Sequence, residues 1–376
     1  SSTAGAACHG VGGAKDIESV LSRNFVHPVI GSTVHTNLDT LYGTGVTKVP
    51  TGSKGIDWAT SKHTVCMDCH NQHQATADKH VPNGQWYPTT GTNLVSGVLR
   101  GVPGVEPTWP SAWTQPTTFT TQLAATKEYQ ICMKCHSYWG LGAAVKGINT
   151  SGYVSPSDGT TPMTDLAWEL SPNNKSAHPV VVAANDRTGS YAPKALVSVQ
   201  MIAPWTNYGT QTMYCSDCHG SDNELAGDPR GPHGSNLKYI LKGVNHYWPK
   251  KPDGVTLYTM DDLKNNTDQE LFCKNCHNPD EPHTLWMNAM ANKGFTCVQC
   301  HVAVPHGSPV SRLIGYGTFP APYNYGGNSL AATGAGSGYR KDIYTDVDAN
   351  DYYSTHASGG MCHPTNAGGY DANLMP

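Results

Sequence analysis

The pattern Cys-x-x-Cys-His occurs five times in the chain, as CMDCH at 66–70, CMKCH at 132–136, CSDCH at 215–219, CKNCH at 273–277 and CVQCH at 297–301. These motifs take up ten of the twelve cysteines. The spacing is that of c-type haem attachment: two thiols form thioethers with the porphyrin, and the adjacent His stands under the iron as its proximal ligand. A zinc ribbon does not need a His after every second Cys. A thioredoxin-like motif comes once per domain beside a βαβ pattern, which is missing here. A disulfide framework leaves the histidines unexplained. Haem c is therefore expected at five sites, attached through Cys66/Cys69, Cys132/Cys135, Cys215/Cys218, Cys273/Cys276 and Cys297/Cys300. The proximal ligands are then His70, His136, His219, His277 and His301.

Composition agrees with a chain that does not build its own core. Hydrophobic residues are 38% of 376, with 5 Phe against 40 Gly, 26 Pro and 19 Tyr. So few apolar side chains offset backbone entropy poorly. Porphyrins are large, flat and mostly apolar, and would supply the missing packing surface. The expected fold class is a multihaem cytochrome c: mostly irregular coil with short helices wrapped around closely packed haems, and little or no sheet. A formal charge of −4 argues against nucleic-acid binding. No apolar run of about 18 residues exists, so no transmembrane segment is expected. The opening SSTAGAACHG reads as a mature terminus after signal removal. Haem attachment itself implies export, to the extracellular space or cell surface, alternatively the periplasm.

The sites recur in pairs. FVHPV at 25–29 precedes CMDCH, and SAHPV at 176–180 precedes CSDCH. CKNCH and CVQCH form a third, compact pair. The organisation read from this is one haem-organised unit, 1–376, with paired repeats at about 1–85, 120–240 and 265–310 and a coil-rich segment at 311–376. Short helices are expected at 16–23, 121–135, 268–276 and 285–293 from their apolar period. Gly/Pro/Ser/Thr/Tyr-rich stretches at about 85–120, 145–175, 185–212 and 315–350 read as coil.

Eleven of the 18 His lie outside the motifs and the two Cys-His remnants. An electron carrier wants a second imidazole on each iron. The favoured distal candidates are His27 and His178 in the HPV segments, His73 in CHNQH, His233 in GPHG, His283 in CHNPDEPH and His306 in CHVAVPHG. His63, His80, His246 and His356 are weaker candidates and His35 the weakest. The sequence does not say which His serves which iron. Met is a less favoured distal ligand, because several fall on or beside expected helices, where Met is packing material.

Cys8-His9 and Cys362-His363 lack the first motif Cys; Gly5 and Gly359 stand there. Either each holds haem by a single thioether, or Cys8 and Cys362 pair as a disulfide. The haem count is thus five, and up to seven. DVDAND at 346–351 opens like a calcium loop but lacks its Gly and distant Glu, so a solvated acidic turn is the reading. NTS at 149, NKS at 174 and NNT at 265 fit the glycosylation pattern.

The five motifs, the CHNQH and CHVAVPHGS segments and the HPV upstream of CxDCH make the chain resemble extracellular multihaem c-type cytochromes of metal-respiring microbes, including the filament-forming nanowire cytochromes. The resemblance implies bis-His haems in a close-packed series and electron transfer to redox partner proteins or extracellular acceptors. The expected function is electron transfer, as a head-to-tail filament of copies of this chain, with a distal His donated across the interface from near a terminus, such as His27 or His356. The alternatives are a monomeric periplasmic shuttle and, less favoured, a multihaem reductase with one open site. No catalytic residue is assigned: the chain is read as a carrier, not an enzyme.

Overall fold

The computed structural model describes residues 15–27, 29, 64, 66–76, 93–141, 164–184, 198–207, 209–279, 296–299, 301–308, 313, 315 and 323. Regular structure there is short. The helices are α1 (Ile17–Val20), α2 (Cys66–Cys69), α3 (Glu128–Cys132), α4 (Tyr138–Leu141), α5 (Leu166–Glu169) and α6 (Met260–Asn265). The strands are β1 (Phe25–Val26), β2 (Gly104–Pro107), β3 (Phe119–Gln122), β4 (Ser176–Ala177), β5 (Gly234–Ser235) and β6 (Gly307–Ser308). They form three antiparallel pairs, β1–β5, β2–β3 and β4–β6. Among the described residues no helix is long and apolar enough to cross a membrane.

Helices this short do not hold in water by propensity; caps and packing hold them. Asp16 Oδ1 accepts from Ser19 N at 3.0 Å at the start of α1. Asp165 Oδ1 accepts from Ala167 N at 2.9 Å and Trp168 N at 3.3 Å at the start of α5. Thr259 and Asp262 cap α6 reciprocally, at 2.8 and 3.2 Å. The main apolar cluster gathers Val105, Tyr129, Met133, Ala167, Leu170, Val180, Val181, Trp205 and Met213, with Cys215, Cys218 and Cys276 packed against it. A smaller cluster of Val102, Ala125 and Ile131 takes Cys69. Motif cysteines therefore lie along the margins of the apolar clusters.

Several expected elements differ. The helix expected over 121–135 begins only at Glu128, because Thr120 and Thr121 belong to β3, where they pair with Glu106 and Val105. Gln130 Oε1 accepts from Thr126 N at 2.8 Å and Lys127 N at 3.0 Å, which fixes the start of α3. The expected coil at 85–120 contains β2, drawn into register by buried Val105. The expected coil at 145–175 contains α5, which its Asp165 cap starts. The helix expected at 268–276 is a 3₁₀ turn, Phe272–Asn275, and that at 16–23 is reduced to α1. The segment 285–293 lies outside the described residues, as do the stretch 324–350 and the chain beyond it.

A longer repeat emerges from the fold. DIESVLS at 16–22 leads into FVHPV, and DLAWELS at 165–171 leads into SAHPV. Each HPV arm pairs with a PHGS segment: Phe25 and Val26 oppose Ser235 and Gly234, while Ser176 and Ala177 oppose Ser308 and Gly307. Each helix backs its own ladder closely. A Cβ on Gly234 would meet the Val20 carbonyl oxygen at 2.2 Å, and one on Gly307 would meet the Glu169 carbonyl oxygen at 1.8 Å. Glycine is required at both places. Each ladder also joins a segment of one sequence repeat to a segment of the next.

Candidate functional site

Every one of the five motifs folds in the same way. The motif His donates its backbone N–H to the carbonyl of the first motif Cys: His70 to Cys66 at 2.8 Å, His136 to Cys132 at 2.9 Å, His219 to Cys215 at 3.0 Å, His277 to Cys273 at 2.8 Å and His301 to Cys297 at 2.9 Å. A single helical turn puts positions i, i+3 and i+4 on one face. In the four motifs described whole, both cysteines and the histidine thus share a side.

Four motif histidines stand opposite a second histidine. Ring centroids are 6.0 Å apart for His70 and His233, 6.1 Å for His136 and His27, 6.2 Å for His219 and His306, and 6.1 Å for His277 and His178. The separation holds between 6.0 and 6.2 Å while the interplanar angle runs from 16° to 70°. Rings in mutual contact would couple distance to tilt. A constant gap at varying tilt is what two rings directed at a common centre would keep.

The pairs follow the ladders. His27 donates its N–H to the His233 carbonyl at 3.1 Å, and His178 donates its N–H to the His306 carbonyl at 2.9 Å. In the first ladder His233 faces the first motif and His27 the second. In the second ladder His306 faces the third motif and His178 the fourth. The same wiring is used twice.

In five of these rings the second nitrogen is held. The Nδ1 of His70 donates to Val98 O at 3.0 Å and that of His219 to Tyr239 O at 2.8 Å. His27 Nδ1 donates to Pro232 O and His178 Nδ1 to Pro305 O. His306 Nδ1 instead meets the Glu169 carboxylate, at 2.7 Å from Oε2. A proton fixed on Nδ1 leaves Nε2 as the lone-pair donor. Burial lowers the His27 pKa and pushes His136 down to about 3 and His219 down to about 4. These rings are neutral at ordinary pH.

Most of the described motif thiols are half-buried, and Cys66 is exposed. Desolvation pushes Cys69, Cys135, Cys218 and Cys273 up to about 12 and raises Cys276. Cys132 is raised first by its hydrogen bond with Cys215 and then by burial. Cys132, Cys215 and Glu128 bring their ligand atoms within 4.8 Å of one another. Glu128 is already engaged, accepting from Ser216 N and Oγ at 2.9 Å each. Three donors fall short of the four thiolate or imidazole ligands of a structural zinc site.

Of the sequence candidates, His27, His178, His233 and His306 thus enter pairs. His73 is exposed, its N–H on Asn71 Oδ1 at 3.1 Å, and His246 lies 3.6 Å from Glu270 Oε2; neither takes part in the four pairs. Cys8, His9, His35, His63, His80, His283, Cys300, His356, Cys362 and His363 lie outside the described residues. Of the two histidines expected to reach a neighbouring copy, His27 faces His136 of its own chain, and His356 lies outside the described residues. Glu169 was not foreseen, although the DIESVLS and DLAWELS repeat placed it one turn after a cap, at the position of Val20.

No family profile, curated protein or solved structure matches the chain.

Proposed function

We propose that this chain is a multihaem c-type cytochrome that moves electrons through bis-His sites, and that its copies join head to tail as an extracellular filament. The four facing histidine pairs at 6.0–6.2 Å carry the reading. A metal held between the two imidazole nitrogens of a pair would, at ordinary metal–nitrogen bond lengths of about 2 Å, call for a gap of about this size. The residues therefore fit the group. In each case one member of the pair belongs to a Cys-x-x-Cys-His turn, whose two cysteines share its face. When bound, haem supplies an iron that gains and gives back one electron at a time.

The rest is the work of the chain. His27, His178, His233 and His306 close the side opposite the motif, which favours electron exchange over substrate binding. Backbone carbonyls of Val98, Pro232, Tyr239 and Pro305 hold the ring tautomers. The contact between Cys132 and Cys215 brings the second and third sites close together. Short spacing between successive sites is what a conduit needs.

The filament reading extends the wiring rule. Counting the five motifs along the chain, each odd-numbered motif takes the histidine that follows the next odd-numbered one: His70 takes His233, which follows CSDCH, and His219 takes His306, which follows CVQCH. In a head-to-tail series the next such motif after CVQCH is the CMDCH of another copy. The histidines following it, His73 and His80, are our candidates for His301.

Intact mass after acid–acetone extraction tests the cofactor: at least five haems retained per chain is expected, and fewer counts against it. Negative-stain imaging of untagged protein tests the assembly, since uniform small particles would favour the periplasmic shuttle.

A further inference from the structure

We propose that Glu169 is a positioning residue that holds the His219–His306 site at a lower reduction potential than its repeat counterpart, the His70–His233 site. The inference rests on the haem reading above. The two sites are built alike. Each has a motif histidine with Nδ1 on a backbone carbonyl, Val98 or Tyr239. Each has a facing histidine from a PHGS segment, with ring separations of 6.0 and 6.2 Å. Each PHGS glycine rests on the carbonyl of one helix residue, Val20 in α1 or Glu169 in α5. At that one position an apolar side chain in the first copy becomes a carboxylate in the second.

The carboxylate is fully buried, at 0% exposure. His306 Nδ1 lies 2.7 Å from its Oε2, and the Tyr323 hydroxyl donates to its Oε1. The helix end beneath it is fixed as well, because Asn174 Nδ2 donates to the Trp168 and Glu169 carbonyls at 2.7 and 2.8 Å. A carboxylate draws on the Nδ1 proton more strongly than an apolar neighbour or a carbonyl. The opposite nitrogen becomes more electron-rich, and a more basic axial ligand favours the oxidised metal. A negative charge buried in low dielectric acts in the same direction. The exchange is of one electron, supplied or taken up by the electrode.

The test is potentiometric titration of the intact protein against an electrode, with haem content measured alongside. Glu169→Gln keeps the shape and loses the charge. One centre should shift positive by about tenfold in its reduction equilibrium, which is about 59 mV for one electron, and one low-spin paramagnetic signal should change its anisotropy. Tyr323→Phe removes the competing donor and should shift the same centre negative. A purely structural role would not give opposite signs. Full haem content with every potential unmoved in both variants overturns the proposal and leaves the haem reading standing. A wild-type chain without haem removes both together. If Glu169→Gln fails to take up haem, Tyr323→Phe still decides the sign.

Discussion

His27 and His233 are neighbours on one two-residue ladder, the N–H of one on the carbonyl of the other at 3.1 Å, yet their rings serve different motifs. Two sites are thus tied to a single backbone contact. A shift of one residue in that register would turn both side chains away from their motifs at once. The ladder fixes the distance between two sites, and the same device recurs at His178 and His306.

Removing one ladder histidine should open one site. His233→Ala is expected to convert a single low-spin centre to high spin, and His27→Ala another, with the double variant adding the two. Paramagnetic resonance of the oxidised protein, with carbon monoxide binding after reduction, counts them. A single variant that leaves all centres low-spin would refute the pairing.

Gly234→Ala and Gly307→Ala should each destabilise the chain by about 1–3 kcal/mol, the range for overpacking a tight site. The added methyl would lie 2.2 Å from the Val20 carbonyl oxygen and 1.8 Å from that of Glu169. Denaturant midpoints measured with matched haem content would show it. Wild-type midpoints would mean that the helices do not back the ladders as described.

Asp165 should make stability depend on pH. Four N–H groups, from Gln115, Tyr138, Ala167 and Trp168, point at its two oxygens. Complete burial still pushes its carboxyl up to about 7, from 3.8. The folded pKa lies above the unfolded one, so the folded state binds more protons between the two values. Its contribution is therefore full below about pH 4 and is lost as pH rises through about 7. Asp165→Asn should flatten unfolding free energy across that window; an unchanged slope would reject the assignment.

For the filament, the double variant His73→Ala/His80→Ala should fail to polymerise while its remaining low-spin centres persist. Sedimentation and imaging would report it. Normal filaments from that variant would exclude these two histidines as the link to His301.

Local chemistry was legible directly. The Cys-x-x-Cys-His turns need only their own backbone, so five turns could be read from spacing, and all five close with the same backbone hydrogen bond. The four histidines that enter pairs were among the candidates because HPV and PHG segments are conspicuous in a polar chain. Elements that depend on distant partners were not legible. β2 looked like coil because the partner that makes Gly104–Pro107 a strand begins twelve residues beyond its end, at Phe119. The expected helix over 121–135 lost its first turns to that same pairing.

The sequence by itself determined the spacing of each motif and that imidazoles were in surplus. Only the tertiary structure decided which imidazole faces which motif, since His233 and His70 are brought together by a ladder from Phe25–Val26 to Gly234–Ser235 that no local propensity announces. It also decided that Glu169 and Val20, equivalent in sequence, back different sites. A motif turn is written in neighbouring residues, whereas pairing depends on which backbone groups meet across more than a hundred residues, and only packing of the whole chain settles that.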